Sequence, residues 1–137
     1  MLRESHLELV RGHGPRLGAA LVGLLFVVSG AGMVSAPADT IGYFTMVGIP
    51  MANIAFWPIV ILKIVAGLAL IVGKKTTEAA AFLIIYTLIA TALAHLNPEM
   101  DKTFPIGMLK NLAIVGGLLY IMSYGPHGTN VKGTEAE

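Results

Sequence analysis

The sequence predicts an all-α integral membrane protein, a four-helix bundle with both termini in the cytoplasm. Composition is the first observation, because 55% of the 137 residues are hydrophobic and only 12% are charged, against about 25% charged in a typical soluble domain. The second is a set of four apolar runs, and the third is an uneven distribution of lysine and arginine between the segments that join them. Together they predict a chain whose main solvent is lipid.

The four apolar runs are the predicted transmembrane helices, and each is close to the ~20 residues needed to cross the hydrocarbon core. Backbone groups within lipid must pair inside their own segment, so such runs form helices rather than strands. The runs cover residues 17–34, 54–72, 79–96 and 106–124. We therefore expect one four-helix domain over residues 17–126, preceded by a cytoplasmic segment at 1–16 and followed by a polar tail at 127–137.

The segments between the runs carry further signals. Gly73 is expected to end the second helix, because glycine readily adopts the left-handed conformation that follows many helices. The connection at 35–53 is long for a turn and contains several large apolar residues. We therefore expect a short helix at the membrane surface there.

Lysine and arginine set the predicted orientation, since cytoplasmic segments of membrane proteins carry an excess of both. Lys102 and Lys110 fall on one side of the membrane, and Lys63 lies within a run. The other side carries six: Arg3, Arg11, Arg16, Lys74, Lys75 and Lys132. The N-terminus, the turn after the second helix and the C-terminus are therefore expected in the cytoplasm of a multi-pass protein of the cell membrane.

Small residues within the runs are expected to mark packing faces, because helices in lipid associate by close backbone approach. They are Gly18, Gly23, Ser29, Gly30 and Gly32 in the first run, Ala66 and Gly67 in the second, and Gly116 and Gly117 in the fourth. We expect them to serve packing of the bundle rather than to line a ligand slot.

Lys63 is the most informative residue for function, because it lies at the middle of the second run. A lysine at a helix centre costs ~2.5–3.5 kcal/mol to insert, and ionisable residues within a membrane mark functional sites by default. Two interpretations remain open. Lys63 either meets a ligand, a proton or a partner chain, or it extends along its aliphatic stem to the outer surface. Pro58 supports the second interpretation, since a helix that began near it would leave Lys63 close to that surface.

Other polar residues lie at the depth of Lys63 or nearer the outer surface. Tyr86 and Thr87 match its depth in the third run, while a histidine and a Lys-Asn pair mark the outer ends of the third and fourth helices. Tyr86 and Thr87 either hydrogen-bond Lys63 or are ordinary polar residues of a helix bundle. The groups at the outer ends, with the loop carboxylates between them, form either a hydrogen-bonded cap over the bundle or the polar end of a site for an amphipathic ligand. The candidate ligand-binding residues are Lys63, Tyr86, Thr87, His95, Lys110 and Asn111.

Several kinds of chemistry are excluded or disfavoured. The chain has no cysteine, which excludes disulfides, cysteine-ligated clusters and thiolate catalysis by this chain alone. One histidine beside the loop carboxylates Glu99 and Asp101 is a weak ligand set, so no metal is expected. The net charge of +1 and the lack of a basic, aromatic-rich patch argue against nucleic acid.

An ordered set of short motifs runs from about Leu17 to Pro126. The most specific is a lysine–asparagine pair that precedes a glycine pair in the fourth run. The motifs are Ser29-Gly30, Gly48-Ile49-Pro50, Gly67–Gly73, Lys74–Ala80, His95, Phe104-Pro105, Leu109–Ala113, Gly116–Leu119 and Gly125-Pro126. In this order they resemble the DoxX family.

The resemblance implies a four-helix membrane fold and, for some members, association with thiosulfate:quinone oxidoreductases or other membrane redox assemblies. Members often carry a lysine late in the first helix and a glutamate in the second, where this chain has Met33 and Lys63. If the usual pair is a salt bridge, this chain has lost the cation and reversed the anion. The resemblance then favours an anionic or carbonyl-bearing ligand at Lys63, or a carboxylate from a partner chain.

Three hypotheses for function follow. The first is a subunit or accessory of a membrane redox complex that binds a quinone-like or lipid-like ligand in the outer half of the bundle. The chain is expected to hold no cofactor of its own, so redox activity would need a borrowed cofactor or an oxidoreductase complex. The second is a non-catalytic assembly subunit, and the third is a small-solute transporter built as a homo-oligomer. The expected partners are the lipid bilayer and either another membrane protein or further copies of the chain.

Overall fold

The computed structural model describes residues 2–95 and 106–125, and within these ranges all regular secondary structure is helical. Its helices are α1 Leu2–Ser35, α2 Pro37–Met46, α3 Ala52–Val72, α4 Thr76–His95 and α5 Ile106–Tyr124. Four of them, α1, α3, α4 and α5, are long and apolar enough to cross a membrane. The predicted all-α class with four spans is confirmed, and the orientation of the termini stays a prediction.

The largest difference from the predicted spans is the length of α1. This helix has 34 residues, or about 51 Å at 1.5 Å per residue, which exceeds the ~30 Å of the hydrocarbon core. The segment predicted to precede the first span is therefore a continuation of the same helix. Hydropathy marks only the part of a helix suited to lipid, whereas residues such as Leu, Glu and Arg sustain the helix beyond it.

The short helix predicted within residues 35–53 is present as α2. Pro37 lies in its first turn, where the missing N–H costs no hydrogen bond. Phe44 on α2 is buried in an apolar cluster formed with Met33, Ala52, Phe56 and Val60. This cluster holds α2 against α1 and α3, so α2 covers one end of the bundle.

The four long helices form a ring in the order α1, α3, α4, α5. α1 packs most extensively against α3, α4 packs against both α3 and α5, and the contact between α1 and α5 is short. The main apolar cluster lies inside this ring. Its buried members are Ala19, Phe26, Ala66, Leu70, Ala79, Ala80, Leu83, Leu118 and Ile121.

Two glycines let α1 and α3 approach backbone to backbone. A Cβ atom on Gly67 would lie 2.7 Å from the carbonyl oxygen of Gly23 and 2.8 Å from Cγ2 of Val27. A Cβ atom on Gly23 would collide with the carbonyl oxygen of Gly67 in return. Because only hydrogen fits at these positions, the sequence permits a crossing that larger residues would prevent.

The packing role predicted for the small residues is right for some and wrong for others. Gly23, Gly30 and Gly67 face a neighbouring helix closely. A Cβ atom would meet nothing within 4 Å at Gly18, Gly32, Gly116 and Gly117. Which glycines meet a neighbour depends on the rotation of each helix about its axis, and composition does not reveal that rotation.

Gly73 ends α3, as the sequence predicted. It has a φ of 78°, and its N–H donates to the carbonyl of Ala69. The guanidinium of Arg16 lies directly over Gly73, with its Cζ 2.8 Å from the position of a Cβ atom there. A cation at this point is favourable, because the last carbonyl groups of a helix carry partial negative charge.

Candidate functional site: a polar cavity around Lys63

Lys63 is buried near the middle of α3, with 7% of its surface exposed. α3 begins at Ala52 and continues through Pro58, which places Lys63 about 16 Å along the helix axis from its first residue. The interpretation that the side chain extends to the outer surface is therefore wrong for the described structure. Its basis, a helix starting near Pro58, does not hold.

The amine of Lys63 points into the bundle and contacts α1. Its Nζ donates a hydrogen bond to Oγ of Ser29 at 2.5 Å and lies 3.7 Å from Sδ of Met33. Gly30 makes this contact possible, because a Cβ atom there would lie 2.8 Å from Ile64 and 3.4 Å from Cβ of Lys63. The close crossing of α1 and α3 thus brings a hydroxyl to a lysine 34 residues away in sequence.

Met33 and Lys63, the two positions at which the resemblance implies a departure from the family pattern, meet in space. They lie side by side across the α1–α3 interface. A thioether is a weak acceptor, so Met33 neither repels nor neutralises the amine. The amine also lies 5.3 Å from the centre of the Tyr86 ring, within the range of a cation–π contact.

A cavity of about 380 Å³ opens beside the Lys63 amine, between α1, α3, α4 and α5. Such a volume is within the range of small-molecule sites, about 300–1,000 Å³. Apolar side chains from α1, α4 and α5 complete its wall. Its polar lining residues are Ser29, Lys63, Tyr86, Thr87, Lys110 and Asn111.

Thr87 contributes a hydroxyl without a partner. The residue is 5% exposed, and its Oγ1 is buried with no hydrogen bond among the described residues. Buried polar groups are nearly always paired, so an orphan hydroxyl calls for an explanation. Thr87 lines the cavity, but Oγ1 itself has almost no accessible surface, so a molecule in the cavity would reach it only after a small movement of neighbouring side chains.

A hydrogen-bonded chain links α5 to α4 beside this hydroxyl. Nδ2 of Asn111 donates to Oγ1 of Thr91 at 3.0 Å, and that hydroxyl donates to the backbone carbonyl of Thr87 at 2.7 Å. The chain fixes the amide of Asn111 at the cavity wall. Lys110, which precedes Asn111 in the chain, lines the same cavity and is exposed.

The electrostatic character of the cavity is positive. Its described lining includes two lysines and no carboxylate. An entering group that carries partial or full negative charge is therefore favoured over a cation, most strongly where water is displaced.

Five of the six candidate residues line this one cavity: Lys63, Tyr86, Thr87, Lys110 and Asn111. The sixth, His95, is the last residue of α4, and its side chain lies outside the described part of the structure, as do Glu99 and Asp101. Within residues 2–95 and 106–125, no group of three histidine, aspartate or glutamate side chains could hold a metal ion. Ligand binding by the five residues stays a prediction.

Sequence reasoning did not assign Ser29 and Thr91 to the site. The sequence predicts a packing role for Ser29 and includes it in a family motif, although a hydroxyl late in the first run can also reach a lysine in the second. Thr91 lies four residues after Thr87, a spacing that places both on one face of a helix. That spacing is the signal that could have revealed it.

Comparisons with known proteins agree with this architecture. The family model described as DoxX matches residues 14–96, which is more than half of the chain. The chain is 29% identical over 113 residues to "Inner membrane protein YqjF" of Escherichia coli strain K12, covering 82% of this chain and 85% of that protein. It is 28% identical over 107 residues to "Inner membrane protein YphA" of the same organism, covering 75% and 76%.

No solved structure matches the fold closely enough to count as a relative. The family match begins at Gly14 in α1 and ends at residue 96, one residue past the last described residue of α4, and it includes Ser29, Lys63 and Thr87. With four apolar spans arranged around these residues, the chain belongs to the DoxX family of membrane proteins.

Proposed function

We propose that this protein binds an amphipathic ligand, quinone-like or lipid-like, in the outer half of its bundle and acts as a small subunit of a membrane redox assembly. The observation that carries the proposal is the cavity lined by the buried Lys63 and by Thr87, whose hydroxyl has no hydrogen-bond partner among the described residues, with no carboxylate in the described lining. These groups are suited to oxygen atoms that accept hydrogen bonds.

The Lys63 ammonium, the Thr87 hydroxyl and the Asn111 amide make up the binding chemistry. Each can donate a hydrogen bond, and carbonyl, carboxylate and phosphate oxygens accept them. Hydrogen bonds that involve a charged group are roughly twice as strong as neutral ones. Lys63 therefore supplies the main polar contact, and the other two orient the headgroup.

The chain would contribute binding rather than electron transfer of its own. It contains no cysteine, and a quinone-like ligand would itself carry electrons and protons between partner proteins. The resemblance to a family with some members in membrane redox assemblies supports the proposal that this protein is a subunit of such an assembly. Its relatives are named as inner membrane proteins, which supports a location in the cell inner membrane.

The test is purification of the native protein in mild detergent, followed by extraction of bound small molecules and mass spectrometry. We expect a quinone or another oxygen-headed lipid in the wild-type protein and in Lys74→Met, which changes an exposed lysine. Lys63→Met should lose this ligand. A wild-type protein that consistently lacks such a molecule, or a Lys63→Met variant that retains it, would contradict the proposal.

The thermal stability of the Lys63→Met variant provides a second measurement of the role of this lysine. Burial of a lysine is costly when its described neighbours are a hydroxyl, a thioether and an aromatic ring but no carboxylate. We therefore expect Lys63→Met to unfold at a higher temperature than the ligand-free wild-type protein, by an amount equivalent to roughly 1–3 kcal/mol. A more stable variant that no longer binds is the signature of a residue retained for binding.

One observation favours the alternative of a non-catalytic assembly subunit. The part of α1 before the first predicted span exposes large apolar residues, among them Leu7, Leu9 and Val10. Such side chains suit contact with another protein. The same purification tests this alternative, because it requires a partner protein and no bound ligand.

A further inference from the structure

A second cavity, of about 340 Å³, lies between α2, α3 and α4. Its wall is almost entirely apolar and includes Phe44, Ile59, Leu62, Ile85 and Ile89. Two tyrosines are the polar members of the described lining, which contains no charged side chain. The chemistry of this cavity is therefore that of a site for hydrocarbon.

The apolar cavity shares a wall with the polar cavity around Lys63. Tyr86 and Ala90 line both of them. Tyr86 presents its ring toward the Lys63 amine from 5.3 Å, so the same side chain borders a cationic space and a hydrocarbon space. Ala90 lies one turn further along the same face of α4, and its small side chain leaves room beside the tyrosine.

We propose that the apolar cavity holds the tail of the ligand whose headgroup lies at Lys63, and that Tyr86 forms the partition around which the two parts of the ligand bend. This inference rests on the proposed function and adds to it a ligand class: an oxygen-bearing headgroup, carbonyl or anionic, on a flexible hydrocarbon chain.

The position of the apolar cavity supports a tail rather than a separate small molecule. Its outer side is formed by exposed residues of α4, including Ile85 and Ile89 at 56% each, which face lipid if α4 spans the membrane. A chain lying there can continue into the bilayer. Each cavity alone is near the lower end of the ~300–1,000 Å³ range for ligand sites, and the two together fall well inside it.

The tail is expected to set orientation more than affinity. Hydrocarbon gains little on leaving lipid for an apolar cavity, since lipid tails are as apolar as the residues that line it. A tail of the wrong shape nevertheless does not fit the cavity, and a cavity that is already filled by a larger side chain excludes any tail. The decisive experiments are therefore to fill the cavity and to map the tail.

Ile89→Trp fills the apolar cavity from its open side and leaves the polar cavity unchanged, because residue 89 does not line the latter. Leu88→Trp is the matched control, since Leu88 is 45% exposed on the same helix and lines neither described cavity. With the full-length protein in nanodiscs, we expect Ile89→Trp to weaken binding of decyl-ubiquinone, measured by calorimetry, by about tenfold or more. Leu88→Trp should bind like the wild-type protein.

The tail is mapped with two photoreactive probes, a quinone and a fatty acid, each with a diazirine near the end of its chain. Labelling of peptides from α2, α3 or α4 by either probe supports the inference, and the probe that labels identifies the headgroup source. Labelling confined to α1 and α5 would overturn it, because the tail would then leave the polar cavity between those helices.

The two proposals fail in different ways. If Lys63→Met binds decyl-ubiquinone and the fatty acid as well as the wild-type protein does, the headgroup site is wrong. If Lys63→Met abolishes binding while Ile89→Trp leaves it unchanged, the headgroup site stands and the tail site is wrong.

Discussion

Lys63 is buried beside a hydroxyl and a thioether, and the described lining of its cavity includes no carboxylate. Thr87, on the facing helix, buries a hydroxyl that has no hydrogen-bond partner in the part of the chain that the structure describes. Both arrangements cost stability in the ligand-free protein, because polar groups leave water without full compensation. Two such costs in one cavity are accounted for if a ligand supplies the missing acceptors.

The Thr87→Val substitution should show whether the Thr87 hydroxyl contributes to the stability of the fold. Replacing the orphan hydroxyl with a methyl group removes an unsatisfied group, so the free energy of unfolding should stay unchanged or rise by up to about 1 kcal/mol. Thr91→Val is the control, since it breaks the hydrogen bond to Asn111 and should lower the free energy of unfolding by about 1 kcal/mol or more. Both are measured by thermal unfolding in the same detergent. Equal losses from the two substitutions would show that Thr87 has a structural partner.

At the scale of elements, the α1–α3 pair forms the framework of the site. Gly23 and Gly67 bring the two backbones together, and that approach sets the distance between Ser29 and Lys63. The α4–α5 pair supplies the opposite wall through Thr87 and its hydrogen-bonded chain. The polar cavity therefore exists because two helix pairs meet.

Gly67→Ala should disturb this framework. An alanine methyl at position 67 would crowd the carbonyl of Gly23 and the side chain of Val27, so the helices must separate. We expect a loss of about 1–3 kcal/mol in the free energy of unfolding, together with weaker ligand binding.

Gly116→Ala is the control for this substitution. A Cβ atom at Gly116 meets nothing within 4 Å, and alanine is favoured over glycine inside a helix by roughly 0.5–1 kcal/mol. Unfolding of both variants is followed by circular dichroism in detergent. A neutral Gly67→Ala variant would mean that α1 and α3 are not closely packed.

At the scale of the whole molecule, orientation decides which side of the membrane the ligand site serves. The chain contains no cysteine, so single-cysteine variants report position without background. The excess of lysine and arginine predicts that residue 74 is cytoplasmic and that α2 lies on the outer side.

We expect Met46→Cys to react with a membrane-impermeant maleimide added to intact spheroplasts, and Lys74→Cys to react only after permeabilisation. Both residues are exposed in the structure, and we expect both segments at a membrane surface, where a water-soluble reagent reaches them from their own side. The reverse pattern would place the Lys63 cavity in the cytoplasmic half.

The helical class, the four spans and five residues of the polar cavity could be predicted from the amino-acid sequence. These are local properties: hydropathy over about 20 residues marks a span, and a lone lysine within it is conspicuous. Five candidate residues chosen in this way line one cavity. The end of α3 at Gly73 was equally local, because only a few successive residues decide it.

Which helix faces meet could not be predicted from the sequence and is known from the folded chain. Whether Lys63 is buried or exposed, that its partner is Ser29, and that Gly23 but not Gly18 supports a crossing all depend on how each helix is rotated and how two helices cross. Those angles result from packing between residues far apart in the chain, and no local pattern encodes them. The apolar cavity behind Tyr86 likewise arises from three helices together, which is why it was visible only in the folded chain.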